Sequence, residues 1–590
     1  AGGYHVFKAG FDGELAGYDA VNRYTGGARW RRSANTATGA PGRWQLREFI
    51  SRTRNLTLEE LKNPDSVMLA DGEYLCAGQT AVCTHADNVT ASTTNRNLAA
   101  FVQDTWQIRP NFTLNLGLRW EQQIGYVADE LAGQPTPQGE TIPDEGYRLD
   151  NLLAPRLGFI YDPTREGKSK IFGHYGRFYE NVPMDLNVRS FGGELINLTT
   201  VNLNRRTPSA GGYDPNCDVD HTAGMTGTQL AERLSMCQDR APGGSLGGDY
   251  AYVSPGLKGQ YTTESILGTE FEVLPDLTVG ANYVHRTMPN VIEDVSTDGG
   301  NNYLITNPGQ NFDGEADKLM AKAMPLLASS DPREKALGEL YQLRANEMYY
   351  VKNFTPPTRN YDAIQLLARQ RPSSHSLLQA SYTYSKSKGN YPGLFSTETG
   401  QLDPNITSLY DLPDLMANRY GPLGLDRPHN LKIDAFYQFD LKKAGQVVVG
   451  GSWRTQSGIA HNALGAHYTY GTDEAYLLPR GAVPRSPVTS QMDVRLQYGY
   501  RLGKNTLLEG FLDVFNIFNQ QDGLDVDERY TADPSNPVLG GSMSDLEHLK
   551  SLDAATGQEL NTTVTKNKNF NNLNARTAPR AMQLGLRLTF

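Results

Sequence analysis

Along much of the chain apolar and polar residues alternate one for one, the period that sends successive side chains to opposite faces of a strand. The last stretch is the clearest case. Met582, Leu584, Leu586, Leu588 and Phe590 share one face, and Gln583, Gly585, Arg587 and Thr589 share the other. Between 488 and 502, Val488, Met492, Val494, Leu496, Tyr498, Tyr500 and Leu502 alternate with Gln491, Asp493, Arg495, Gln497 and Arg501. Leu431, Ile433, Ala435, Tyr437, Phe439 and Leu441 alternate with Lys432, Asp434, Gln438 and Asp440. Phe112, Leu114, Leu116, Leu118 and Trp120 alternate with Thr113, Asn115, Arg119 and Glu121. Followed along the whole chain, this period predicts about fourteen strands, near 4–18, 95–108, 111–124, 150–162, 168–180, 260–273, 276–290, 357–370, 373–388, 428–441, 446–457, 488–502, 505–518 and 578–590. Over 150–180 and 357–370 the alternation is mixed.

These segments run about ten residues or more, longer than the usual strand of about five or six and long enough for a tilted membrane crossing. Their polar faces carry both signs of charge close together, which suits a watery, ion-paired lumen better than the outer face of a soluble sandwich. The connections alternate between two lengths. Short turns are expected at Arg109-Pro110-Asn111, Asp162 to Lys168, Leu274-Pro275-Asp276, Gln370 to Ser373, Lys442 to Gly445 and Gly503-Lys504-Asn505. Long polar segments fall near 19–94, 125–149, 181–259, 291–356, 389–427, 458–487 and 519–577. Outer-membrane barrels have short periplasmic turns and long extracellular loops. On that assignment the final strand descends to Phe590 in the periplasmic aromatic girdle, with Trp106, Tyr161, Phe439 and Tyr500 at the same level. The expected fold is therefore all-β: a transmembrane antiparallel β-barrel with long extracellular loops, one of them partly helical. Ser330-Asp331-Pro332-Arg333-Glu334 supplies an N-cap, a proline in the first turn and an acidic residue. A helix is expected from there to Tyr350 and a shorter one near 315–328, either shielding the barrel mouth or packed on neighbouring loops.

Composition narrows the choice further. Hydrophobic residues are 38% of the 590, with 31 Tyr, 20 Phe and 59 Gly. No apolar run approaches the roughly 18 residues of a membrane-spanning helix. Aromatic content of 9% and charged content of 20% argue against disorder. A net charge of −10 gives no basic footprint for nucleic acid. Acidic loops would suit cations or basic peptides, and simple solubility accounts for the same charge. The cysteines fall in two local pairs outside the strands, Cys76 with Cys83 and Cys217 with Cys237. That pattern favours two loop disulfides in an oxidising compartment, since a zinc site needs tighter spacing and nearby histidine.

Catalytic motifs are absent: there is no His-Glu-x-x-His, phosphate loop or Gly-x-Ser-x-Gly, so the chain reads as a non-enzyme without a cofactor. His461 and His467 share one loop and read as solvated residues before they read as metal ligands. Asp522, Asp525, Asp527 and Glu528 lack the spacing of an EF-hand. A loop calcium held by these carboxylates is the sharper reading, a solvated charge run the simpler one. Asp434, Asp493, Arg495, Arg501, Glu509, Asp513 and Arg587 point into the expected lumen, where they would contact a plug or line water.

Several segments resemble the C-terminal barrel of TonB-dependent outer-membrane receptors, in the Oar-like branch. The resemblance rests on Asn97-Leu-Ala-Ala-Phe-Val-Gln-Asp-Thr-Trp106, Leu114-Asn-Leu-Gly-Leu-Arg-Trp120, Pro155-Arg-Leu-Gly-Phe159, Leu425-Asp-Arg-Pro-His-Asn430, Phe511-Leu-Asp-Val-Phe-Asn-Ile-Phe-Asn519 and the terminal Phe590. It implies a Gram-negative outer membrane and a barrel of about twenty-two strands around a plug. It also implies a short N-terminal segment that meets a TonB-type energy transducer. Leu584, Leu586, Leu588 and Phe590 then resemble the terminal signal read by the barrel-assembly machinery. No plug-like region is found, about eight strands are missing, and Ala1-Gly2-Gly3 leads straight into strand-like sequence. The expectation is a plugless C-terminal portion of a barrel, unable to perform energy-coupled uptake alone. The implied function is a receptor and transporter whose surface loops bind an unknown ligand such as a peptide, protein or glycan. A non-energised channel of about fourteen strands, or a barrel-anchored surface adhesion protein, would be the alternatives.

Overall fold

The computed structural model describes residues 3–33, 43–63, 67–70, 73–75, 81–193, 196–202, 240–246, 250–297, 302–396, 398, 400, 405–503, 506–553 and 556–590. Its frame is a meander of fourteen long strands: β1 Tyr4–Asn22, β2 Val89–Arg109, β3 Phe112–Tyr126, β4 Glu145–Tyr161, β5 Ser169–Tyr179, β6 Tyr261–Leu274, β7 Leu277–Asn290, β8 Arg359–Ser373, β9 Ser376–Gly389, β10 His429–Asp440, β11 Gln446–Gln456, β12 Thr489–Arg501, β13 Leu507–Phe515 and β14 Ala581–Thr589. Each pairs with the next in chain order, and the pairings are antiparallel.

The register sorts the side chains as the alternation requires. Leu114 pairs with Phe159, Leu116 with Leu157 and Trp120 with Leu153. At the other end Leu508 pairs with Leu588, Leu512 with Leu584 and Val514 with Met582. These apolar residues line one face and stand open: Leu584 is 82% and Leu586 80% exposed. Water would penalise so large a bare apolar band, whereas lipid solvates it. Beside the short turns the same face carries the aromatic residues. Trp106 stacks on His5 at 5.0 Å, Tyr161 meets the edge of Phe112 at 6.2 Å, Phe439 lies 4.6 Å from Tyr437, and Tyr500 pairs with Leu508.

Where the strands differ from expectation, local chemistry supplies the reason. β4 starts at Glu145 because it holds a bulge. Its partner on β3 moves from Glu121 opposite Leu152 to Gln123 opposite Leu149, and the extra residue is absorbed beside Asn151, at φ 59°. That bulge is what blurred the alternation near 150. β8 continues to Ser373, so the turn lies at Ser374-His375 and not at 370–373. Pro372 offers no N–H, and the pairing shifts register between Gln370 and Ser373. β1, β2 and β4 overrun their expected ends at the side of the long loops. Of the turn at 503–505, only Gly503 lies within the described residues.

Most of the buried core lies in the long loops, joined by Ile124, Tyr147, Leu149 and Leu152 where β3 and β4 run on toward them. Phe191, Phe354, Tyr391, Tyr410 and Tyr476 are almost wholly buried, and none belongs to the meander. Loops in water gain from apolar burial, whereas a lipid-facing sheet does not. More than one loop carries its own structure. The strands Leu464–His467, Gly471–Tyr476 and Arg529–Pro534 form a small sheet, over a cluster that includes Leu477, Leu478, Tyr530 and Leu546. The two expected helices form, and both are numbered after α1 Leu58–Lys62 and α2 Met184–Phe191: α3 is Asp313–Leu327 and α4 is Pro332–Val351. Asp331 caps α4 by accepting from Arg333 N–H at 2.8 Å. The helices cross closely at Gly338, where a Cβ would lie 2.8 Å from the Leu327 nitrogen. They pack on neighbouring loops: Arg344 pairs with Glu140 at 2.7 Å, and Arg333 donates to the Leu56 carbonyl at 2.8 Å.

Candidate functional site: the charged inner face and the loop junction

The face opposite the apolar band holds the expected charges. Arg495 pairs in register with Asp513, and Asp434 with Ser452, which in turn pairs with Asp493. Glu509 pairs with Arg587, and Arg501 with Leu507. The register thus brings all seven charges to one face. Arg495 grips Asp513 through two hydrogen bonds of 2.6 and 2.7 Å. Asp434 accepts from Ser452 at 2.7 Å and Arg454 at 3.2 Å. Asp493 accepts from Gln491 and from Asn516 N–H, and Glu509 from Gln497. Farther round the same face a cleft of about 390 Å³ is lined by Arg156, Lys170, Phe172 and His174 among others. Lys170 sits over Phe172 and Arg156 over Phe178, at 4.6 and 4.9 Å from the ring centres.

The second candidate is a junction where three long loops meet. A short strand, Glu293–Val295, follows β7. Against it lies 405–411: Asp294 N–H donates to the Asn405 carbonyl at 3.3 Å and Ser296 N–H to the Tyr410 carbonyl at 3.0 Å. Thr407 donates through both N–H and hydroxyl to Glu293, at 3.0 and 3.1 Å. From the third loop Tyr470 donates to Asp411, and Ser408 donates to Glu474 at 2.6 Å. Burial pushes the Glu293 carboxyl up to about 8, against the pull of its Thr407 hydrogen bonds. Burial pushes Asp411 up to about 7, opposed by the Tyr470 hydrogen bond. Asp294 is driven well up by burial and then by the neighbouring Asp411 and Glu293 charges. Next to this cluster, Arg419 and Arg480 both stack on Tyr476, at 5.0 and 4.8 Å.

Cys83 is fully buried beside Ile50 and Ala81. Cys76, Cys217 and Cys237 lie outside the described residues. His461 is not the solvated residue expected: its side chain is buried, with Nδ1 3.1 Å from Glu528, and its backbone bridges to Val483. His467 lies 3.0 Å from Asp414, at 53 residues' separation, instead of joining His461. In the acidic run, Asp522 accepts from Ser490 N–H, Asp527 from Arg529 N–H and Asn567, and Glu528 from Asn462. Among the described residues no three His, Cys, Asp or Glu side chains gather as a metal site.

The loop junction has no counterpart in the sequence reading. Its one signal was Val291-Ile-Glu-Asp-Val295, two acids inside an apolar run with no polar alternation to carry them to water.

Comparison with known proteins bears on the whole sheet. Over its full length this chain is 34% identical to the TonB-dependent transporter Oar of Myxococcus xanthus, and it spans 49% of that protein, about half its length. Among solved structures it superposes on the outer membrane transporter YddB from Escherichia coli (11% identity, TM-score 0.40, 99% of this chain and 63% of that one). The siderophore receptor PiuA from Acinetobacter baumannii gives 11% identity and a TM-score of 0.37, over 98% of this chain and 56% of that one. A family model described as an outer membrane beta barrel domain matches residues 2–467. With that match over most of its length, and with a fourteen-stranded antiparallel meander bare on its apolar face, the chain belongs to the outer membrane β-barrel family and resides in the Gram-negative outer membrane.

Proposed function

We propose that this chain is part of a TonB-dependent outer-membrane receptor that binds its ligand with the long loops and passes it inward when energised. The observation that carries the reading is the similarity to the transporter Oar across all of this chain. The charged inner face fits a plug: carboxylates and guanidiniums there gain little from facing one another across water and more from polar partners on an inserted domain. Large loops with their own packed cores suit a peptide, protein or glycan, which many side chains can grip at once. Leu584, Leu586, Leu588 and Phe590 are assigned to recognition by the barrel-assembly machinery, and Cys76–Cys83 and Cys217–Cys237 to loop disulfides. No catalytic step is assigned.

An open sheet also favours this reading over a small channel. β1 pairs with β2 and β14 with β13, and among the described residues β1 and β14 do not pair with each other. In lipid each unpaired backbone group costs several kcal/mol, so both edges call for partner strands.

The test uses the full-length protein. A purified TonB-type periplasmic domain is expected to co-purify with it. Cysteines at Leu425 or Leu539 are expected to react with an impermeant maleimide on intact cells, while one at Lys443 in a short turn does not. Labelling without transducer binding would favour a surface adhesion protein or a passive channel. Labelling of the short turns would sink the assigned orientation.

A further inference from the structure

We propose that the junction of the loops 291–356, 389–427 and 458–487 is a proton-dependent latch: the loops stay locked together while the carboxyls of Glu293, Asp294 and Asp411 hold protons, and separate as those protons leave. The proposal rests on the reading that these loops face the external medium and control access of ligand.

Among the described residues the geometry places more acid than base in a buried space. Glu293, Asp294 and Asp411 are all buried. Glu474 of the third loop faces Asp411, and Glu180 faces Tyr391. The opposing cations are Arg189, acting on Asp294, Arg419, acting on Asp411, and Arg359, beside Tyr391 and Glu180. Tyr391, Tyr410 and Tyr470, kept neutral by burial, complete the surroundings with Tyr303. At the margins Arg480 pairs with Glu398 and His467 with Asp414, so neither pair supplies spare positive charge. With every group ionised, five carboxylates would face three guanidiniums among the described residues. One oxygen each of Glu293, Asp294 and Asp411 is buried without a well-formed hydrogen bond, and only the phenols of Tyr391 and Tyr303 come near Glu293 and Asp411 as further donors. Ionisation would leave those oxygens charged and unsolvated, which a low-dielectric interior penalises heavily.

Because these carboxyls hold protons more tightly in the closed junction than in water, the closed form is the protonated form. The stability they confer is complete below the ordinary carboxylate range and drains away as pH rises through about 7 to about 8. The segments 291–296 and 405–411 are joined by the backbone and Thr407 hydrogen bonds described above, by the Asn405 amide, which donates to the Ile292 carbonyl at 2.7 Å, and by Val291 and Val295 in one apolar cluster with Leu409 and Tyr410, so water entering at the ionised carboxyls loosens both segments together.

Hydrogen exchange followed by mass spectrometry, on the full-length protein in membranes, tests this. Protection of 291–296 and 405–411, corrected for intrinsic exchange, is expected to fall at least about tenfold between about pH 6 and about pH 8.5, the change that one released proton produces over one pH unit. Strands β10 to β13 should not change. In Glu293→Gln and Asp411→Asn the fall should shrink, since a neutral amide cannot ionise. Equal protection of the wild type at the two pH values overturns the latch, and so does an unaltered pH dependence in both variants. If the variants do not fold, the wild-type comparison decides alone. The readout requires neither ligand nor transducer, so a failed latch and a failed receptor assignment are distinguishable.

Discussion

Gly585 on β14 faces Phe511 on β13, and a Cβ there would sit 2.2 Å from the Phe511 ring. The ring lies over the bare backbone and covers hydrogen bonds that a lone glycine would expose. Gly585→Val should therefore cost about 1–3 kcal/mol by overpacking, read as a loss of folded, heat-modifiable protein in the outer membrane. Phe511→Ala should restore part of it in the double variant, because the two residues occupy one space. At this scale much was legible in advance. Strict alternation gave the lipid-facing set and put Asp434, Asp493, Arg495 and Asp513 on the opposite side. Glu293 and Asp294 left only the trace of two acids inside an apolar run, and Asp411 left none, because a carboxyl in a loop carries no periodicity. Only tertiary packing of the loops removes it from water.

Helix α4 shows how an element can be read from its ends while its setting stays hidden. The Asp331 cap and Pro332 fixed its start, and the capping bond forms as the residue order required. Asp331→Ala should cost about 1 kcal/mol, seen as faster exchange of the first turn alone. Which neighbours receive the helix depends on Arg344. It is 7% exposed, pairs with Glu140, and lies over Tyr252 at 4.5 Å. Arg344→Ala strands a half-covered carboxylate and removes that stacking, so it should cost more than the cap, about 2 kcal/mol after allowing for the solvent that still reaches Glu140. Limited proteolysis should then cut between 313 and 351 sooner, while β1 to β3 stay intact. The strands teach the same lesson. Their existence followed from alternation, whereas the Asn151 bulge and the run of β8 through Pro372 depend on backbone geometry that a two-letter pattern does not encode.

For the whole molecule the decisive feature is the pair of sheet edges. Among the described residues β1 presents an unpaired edge along a strand of 19 residues, and β14 along one of nine. Both run through the depth where the apolar face must meet lipid, so neither edge can find water for its backbone groups. Two closures satisfy them: β1 could pair with β14, or each could pair with a strand outside this chain. The strands run in opposite directions, so polarity permits direct pairing, and cross-linking separates the two closures. Single cysteines introduced along β1 at Ala9, Gly13 and Ala16, each combined with one at Gln583, Gly585 or Arg587, would cross-link wherever Cα atoms approach within about 6 Å. In the full-length protein none of these combinations should cross-link, while Asp12→Cys with Ala99→Cys, direct partners across β1 and β2, should do so readily. Ready cross-linking between β1 and β14 would mean that fourteen strands close on themselves, leaving a lumen too narrow for the plug to which the inner-face charges are assigned.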